Sequence, residues 1–152
     1  MSISYNEIIS NIRQGKYKYI GEGSSRKVFD LNNGYVVKIA KNMAGIEQNK
    51  VEYIISNYDR SHLFAKVVQA SSNYNFIIMR KARKINSIMD VCNYFNVSNK
   101  FKFFSLPQIR ELKNKYDLIL NDLTRESSWG IINGQVVIIN YGYTYEIKKK
   151  YY

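Results

Sequence analysis

The spacing of apolar positions along the chain changes several times, and each change predicts an element. Residues 4–14, "SYNEIISNIRQ", place Ile8, Ile9 and Ile12 on one helical face. Ser4 followed three residues later by Glu7 has the form of a capping box at the helix start. The texture then shifts to short apolar runs at 17–22, 27–32 and 35–40, which predict three strands. "NNG" at 32–34 predicts a tight hairpin between the second and third. Helical spacing returns over 44–57 through Ile46, Val51, Ile54 and Ile55. Residues 63–69 and 75–80 predict two more strands, joined by "ASSNY". This order predicts an α+β fold with a five-stranded antiparallel sheet within residues 17–80.

The second half has a different character. Residues 86–95 and 107–120 carry apolar residues at helical spacing, and Pro107 suits a first helical position. Residues 121–130, "NDLTRESSWG", are polar and predict irregular structure. Brief strands are predicted at 130–133 and 135–139, joined at "NG", ahead of a basic, tyrosine-rich tail. The segment 81–85 between the halves is the candidate hinge.

Composition narrows the class. Of 152 residues, 45% are apolar, with 14 Tyr and 7 Phe, enough for a real core. A single Pro and no low-complexity stretch argue against a long disordered linker. One Cys excludes an intramolecular disulfide framework, and one His beside it excludes an ordinary structural zinc site. The first residues lack the apolar core of a signal peptide, and no apolar run has the length of a membrane span, so the expectation is a cytoplasmic protein with no membrane partner. The net charge of +11 favours polyanionic partners: nucleic acid, nucleotides or an acidic protein face. The basic residues are spread along the chain, with local clusters at "RKARK" (80–84) and at 148–150.

Chemistry concentrates in a few stretches. In "YIGEGSSRKVF" (19–29), Gly21 and Gly23 close one strand before another resumes at Lys27. A glycine pair in a strand–turn–strand lets the backbone approach a phosphate. Neither a P-loop nor a dinucleotide fingerprint is present. In "YVVKIAK" (35–41), Lys38 lies inside an apolar strand, sharing a face with Val36 and Ala40. A lysine so placed needs an anion or it costs free energy. The following helix offers Glu47 and Glu52, and Glu52, within "KVEYII", is the expected partner.

Glycine loop, strand lysine, helix glutamate, two further strands and a hinge together resemble the N-terminal lobe of the protein-kinase-like superfamily. "NDLTRESSWGII" (121–132) is similar to the catalytic loop, with Asp122 in the place of the catalytic aspartate. "NYG" (140–142) is similar to the D-F-G triplet, eighteen residues after Asp122. The resemblance covers roughly residues 17–143 and is strongest to small kinase-like proteins of phages and low-GC Gram-positive bacteria. It implies a minimal kinase-like fold: an N-terminal helix (1–16), an N-lobe (17–80), a hinge (81–85) and a truncated, mainly helical C-lobe (86–152). It also implies a nucleotide site with Gly21, Gly23, Lys38 and Glu52 toward ATP, Asp122 as catalytic base, and Ser127 and Asn140 at the metal-binding positions.

The departures from the family fall at chemically telling places. Asn140 stands where the family has a metal-binding aspartate, and Ser127 where it has a metal-binding asparagine. Arg26 occupies the third loop-glycine position, and Asn121 precedes Asp122. Magnesium favours carboxylate oxygens and substrate phosphates, so ATP and Mg²⁺ are expected to bind weakly. The chain ends with "NYGYTYEIKKKYY", so the expectation is against a conventional kinase acting on peptides. Trp129, the single tryptophan, is expected to pack between the catalytic loop and the helix 107–120, beside a polar surface of Arg125, Ser127 and Ser128. Three readings of function remain: a degenerate kinase-like module that binds another protein, a minimal ATP-dependent phosphotransferase, and a basic nucleic-acid-associated protein.

Overall fold

The computed structural model describes residues 2–152. It divides into two compact units, Met1–Tyr58 with Lys66–Lys81, and Asp59–Ala65 with Ala82–Tyr152.

The first unit is a five-stranded antiparallel sheet with a helix on each face. Its strands are β1 (Lys18–Glu22), β2 (Arg26–Asp30), β3 (Tyr35–Ala40), β4 (Val67–Ala70) and β5 (Phe76–Arg80), in the order β1-β2-β3-β5-β4. Helix α1 (Tyr5–Arg13) starts at Ser4, whose hydroxyl accepts the Glu7 N–H as the capping pattern requires. Ile8 of α1 is fully buried against Val37, Ile39, Phe76 and Ile78, with Ile9 and Ile12 packed at the edge. The "NNG" segment makes the β2–β3 hairpin, with Asn32 and Gly34 both at positive φ. On the opposite face, helix α2 (Met43–Tyr58) packs against β3, β4 and β5. Both faces of β3 are therefore covered, and Val36, Val37, Lys38 and Ile39 are all buried.

Two sequence expectations need correction here. Of the helically spaced Ile46, Val51, Ile54 and Ile55, Ile54 is 50% exposed, while Ile55 faces inward together with Glu52 and Asn49. The strand expected over 63–69 is only Val67–Ala70. The residues before it serve the second unit: Phe64 bridges Ile138 in parallel, with the Ile138 N–H donating to the Leu63 carbonyl at 2.6 Å. An apolar run looks alike whichever sheet takes its hydrogen bonds.

The second unit holds a three-stranded antiparallel sheet, β6 (Arg83–Lys84), β7 (Trp129–Ile132) and β8 (Gln135–Ile138). Asn133 and Gly134, both at positive φ, turn β7 into β8 as the "NG" pair predicts. Gly130 allows β6 to approach, since a Cβ there would sit 2.5 Å from the Ala82 Cβ. Helices α3 (Ile88–Tyr94), α4 (Lys100–Phe104), α5 (Pro107–Tyr116) and α6 (Tyr145–Tyr151) complete the unit. The helix expected over 107–120 stops at Tyr116, because Asp117 adopts the left-handed conformation. Asp117 then caps α6, its carboxylate accepting the Glu146 N–H at 3.0 Å. Neither α4 nor α6 was expected, although each begins at a side-chain cap, Asn99 and Thr144.

Candidate functional site

The first unit contributes a loop and a buried charge cluster. The β1–β2 turn is tied down at its carbonyls: Ser24 O accepts from Asn42 Nδ2 at 3.0 Å, Ser25 O from the Lys41 N–H at 2.7 Å, and Gly23 O from Lys41 Nζ at 3.0 Å. Gly45, in the first turn of α2, makes this possible, since a Cβ there would collide with the Ser25 carbonyl oxygen. Gly21 and Gly23 differ from Gly45. Neither lies in the left-handed region, and a Cβ on either would meet no atom within 4 Å. The internal packing of the unit makes no demand for glycine at these two positions, and the space beside their backbone is open.

Lys38 projects from β3 toward α2 and is 6% exposed. Its Nζ lies 2.8 Å from Glu52 Oε1, the partner its burial required. Glu52 also has a second cation. Arg26, at the start of β2, donates Nη1 to Glu52 Oε1 and Nη2 to Glu52 Oε2, both at 2.9 Å, in a two-pronged clamp. Arg26 Nη1 lies 3.1 Å from Asn49 Oδ1, and Asn49 Nδ2 donates to the Tyr74 carbonyl at 2.9 Å. Among the described residues no buried side-chain polar atom lacks a hydrogen-bond partner.

The two cations act together on Glu52. Burial by itself would raise the glutamate, but the charges of Arg26 and Lys38 outweigh it and hold the carboxyl down at about 2. Lys38 moves in the direction opposite to that of a simple ion pair. Burial lowers it, the attraction of Glu52 offsets only part, and repulsion from Arg26 lowers it further, to about 8.

The second unit carries the other three expected site residues. Asp122 lies in a 3₁₀ turn, Leu120–Thr124, partly buried. Burial raises its carboxyl, against the attraction of Arg125 and Lys148. The Tyr143 phenol is raised by its own burial and then by the Asp122 charge. Ser127 is exposed in a second 3₁₀ turn, Glu126–Ser128, while the buried Ser128 hydroxyl donates to the Asp122 carbonyl at 2.8 Å. The Ile139 N–H donates to the Ser128 carbonyl at 2.8 Å, which ties the residue before Asn140 to the Asp122 turn. Asn140 itself is exposed, while Tyr141 is buried against Phe64 and donates its hydroxyl to the Ala65 carbonyl. Trp129 donates its indole N–H to the Leu123 carbonyl at 2.9 Å, and its ring meets Phe95 and Phe103. The catalytic-loop contact expected of Trp129 is present, and its aromatic neighbours are Phe103 of α4 and Phe95 at the end of α3.

The donor set at the expected metal positions is one amide (Asn140) and one hydroxyl (Ser127). Among the described residues no group of three or more His, Cys, Asp or Glu could hold a metal ion. A hard dication such as Mg²⁺ favours carboxylate oxygen, and this set does not fit it well.

Arg26 is the residue that sequence reasoning placed but did not understand. A signal for it existed. The "NNG" hairpin sets Val28 opposite Lys38 and Arg26 opposite Ala40, so Arg26 and Lys38 share one sheet face.

No protein-family model and no curated protein sequence matches the chain. Solved structures do. The streptomycin–ATP–APH(2")-IIa ternary complex superposes with a TM-score of 0.53 at 16% identity, covering 93% of this chain and 73% of that one. The gentamicin–APH(2")-IIa complex gives 0.49, at 16% identity, over 93% and 71%. The chain shares the α+β, kinase-like fold of that ternary complex, as the resemblance of its sequence implied.

Proposed function

We propose that the protein is a kinase-fold binding module that admits a nucleotide in its first unit and transfers phosphoryl groups slowly or not at all. The observation that carries this reading is the contrast in donors: Glu52 and Lys38 are paired and buried, while the metal positions hold an amide and a hydroxyl. Gly21 and Gly23 leave open backbone for a phosphate, and Lys38 supplies the cation. The structural relative holding streptomycin and ATP supports a nucleotide as the ligand class. The partner is another macromolecule, an acidic protein face ahead of a nucleic acid. A net charge of +11 favours such a surface, and no arginine-rich arm or zinc knuckle supplies a nucleic-acid reader.

Calorimetric titration with ATP, with and without Mg²⁺, tests this reading. The parent is expected to bind ATP with little dependence on the metal. Asn140→Asp restores a carboxylate at almost no steric cost and is expected to make binding metal-dependent. A single electrostatic deletion of this kind costs transition-state stabilisation of about 3 kcal/mol, so the parent should turn over about a hundredfold more slowly than the variant. Rapid metal-dependent phosphorylation by the parent would overturn the reading in favour of a minimal phosphotransferase. One observation favours that alternative: burial raises the Asp122 carboxyl, which makes it a better general base than an ordinary aspartate.

A further inference from the structure

In a two-member buried pair, lysine and glutamate depend on each other. If the lysine turns away, the glutamate is left as a buried anion without compensation, which is strongly unfavourable. Glu52 is not in that position. Its Oε2 is held by Arg26 Nη2, and its Oε1 is shared between Arg26 Nη1 and Lys38 Nζ, so the carboxylate keeps a two-pronged partner if Lys38 leaves. Arg26 is in turn fixed by Asn49, on the same helix as Glu52. The backbone just before Arg26 is also tied, since the Ser25 carbonyl accepts from the Lys41 N–H and packs on Gly45 at the start of α2. The clamp thus joins the glycine loop to α2 by side chain and by backbone.

We propose that Arg26 is a positioning residue that anchors α2 through Glu52, so that the Lys38 ammonium can leave the carboxylate for an anionic ligand without releasing the helix. The inference rests on Lys38 serving a nucleotide phosphate, as read above. A lysine kept near an arginine has added reason to seek an anion. The charged groups that act on Lys38 are Glu52 of α2 and Arg26 of β2, and the second repels it.

The test compares Lys38→Met, Arg26→Met and Arg26→Lys in the absence of nucleotide. Lys38→Met should stay within about 3 °C of the parent melting temperature, because Arg26 still compensates Glu52. Amide hydrogen exchange along α2 should be unchanged in that variant. Arg26→Met should lower the melting temperature by about 10 °C and speed exchange in α2. Its Lys38 should titrate above the value of about 8 held in the parent, since the repelling charge is gone; amine labelling against pH reads this directly. Arg26→Lys should restore the low Lys38 titration and only part of the stability, since an ammonium cannot clamp both oxygens. Should Arg26→Met fail to fold, Arg26→Lys alone decides the matter. Equal losses from Lys38→Met and Arg26→Met, or a Lys38 titration indifferent to Arg26, would overturn the proposal. Failure of the parent to bind ATP would overturn the functional reading and leave these measurements intact.

Discussion

Glu52 is fully buried and both its oxygens are held by cations, whereas Ser127 and Asn140 stand exposed, one in a 3₁₀ turn and one just past a strand. The two groups of residues obey different physics. Around Glu52 the carboxylate and the Arg26 clamp constrain each other, because an isolated buried charge is expensive. At position 127 water can satisfy almost any polar side chain, so folding places little constraint on which one stands there. The buried charge cluster is therefore part of what holds the first unit together.

The largest expected effect comes from breaking the buried side. Glu52→Gln keeps the shape but leaves Arg26 and Lys38 as two buried cations in contact, and should cost about 3–5 kcal/mol in chemical denaturation. The same residue sets an acid limb. Its carboxyl is held at about 2, below its ordinary 4.5, so the unfolded chain binds the proton more readily. Its contribution should be complete above about pH 4.5 and should fade as the pH falls toward 2. In Glu52→Gln this part of the stability–pH curve should be shallower, leaving the contributions of Asp30 and Glu22, whose carboxyls are held low by Lys81 and Lys41. An unchanged acid limb would show that the ion cluster is not what acid breaks.

A smaller effect is expected from the buried scaffold beneath the exposed loop. Trp129→Phe removes the indole N–H from the Leu123 carbonyl and leaves a buried acceptor, a loss of about 2 kcal/mol by denaturation. The smallest effect has the opposite sign. The Asp122 carboxyl is raised by burial, so the native state holds its proton more tightly than the unfolded chain does. That contribution is present at low pH and is lost as the pH rises through the native value. At neutral pH Asp122→Asn should raise the melting temperature slightly. A fall would mean that the ionised form makes favourable contacts that outweigh its burial.

Much of the first unit was legible in the chain. The alternation in "YVVKIAK" and the "NNG" turn fix the β2–β3 register, and the need of Lys38 for an anion pointed to Glu52. In the second unit the "NG" turn and Pro107 were equally readable, but the tail was not. Helix α6 is only seven residues long and starts at Thr144 amid tyrosines and lysines that show no clear apolar period. What closes it is Asp117, 29 residues upstream, whose carboxylate accepts the Glu146 N–H.

The sequence by itself determined what short-range rules can reach: the order of helices and strands in the first unit, the turns that need positive φ, and the demand that a lysine in an apolar strand find a carboxylate. Tertiary structure alone decided which residues share that carboxylate and which sheet an apolar run joins. Arg26 looked like a lost glycine because its partner lies 26 residues away on a helix, and no window along the chain contains both. Leu63 and Phe64 looked like part of β4, because strand propensity is the same whether the bonds go to β5 or to Ile138. The physical reason is common to both: a buried polar group specifies that it must be satisfied, and the fold specifies by whom.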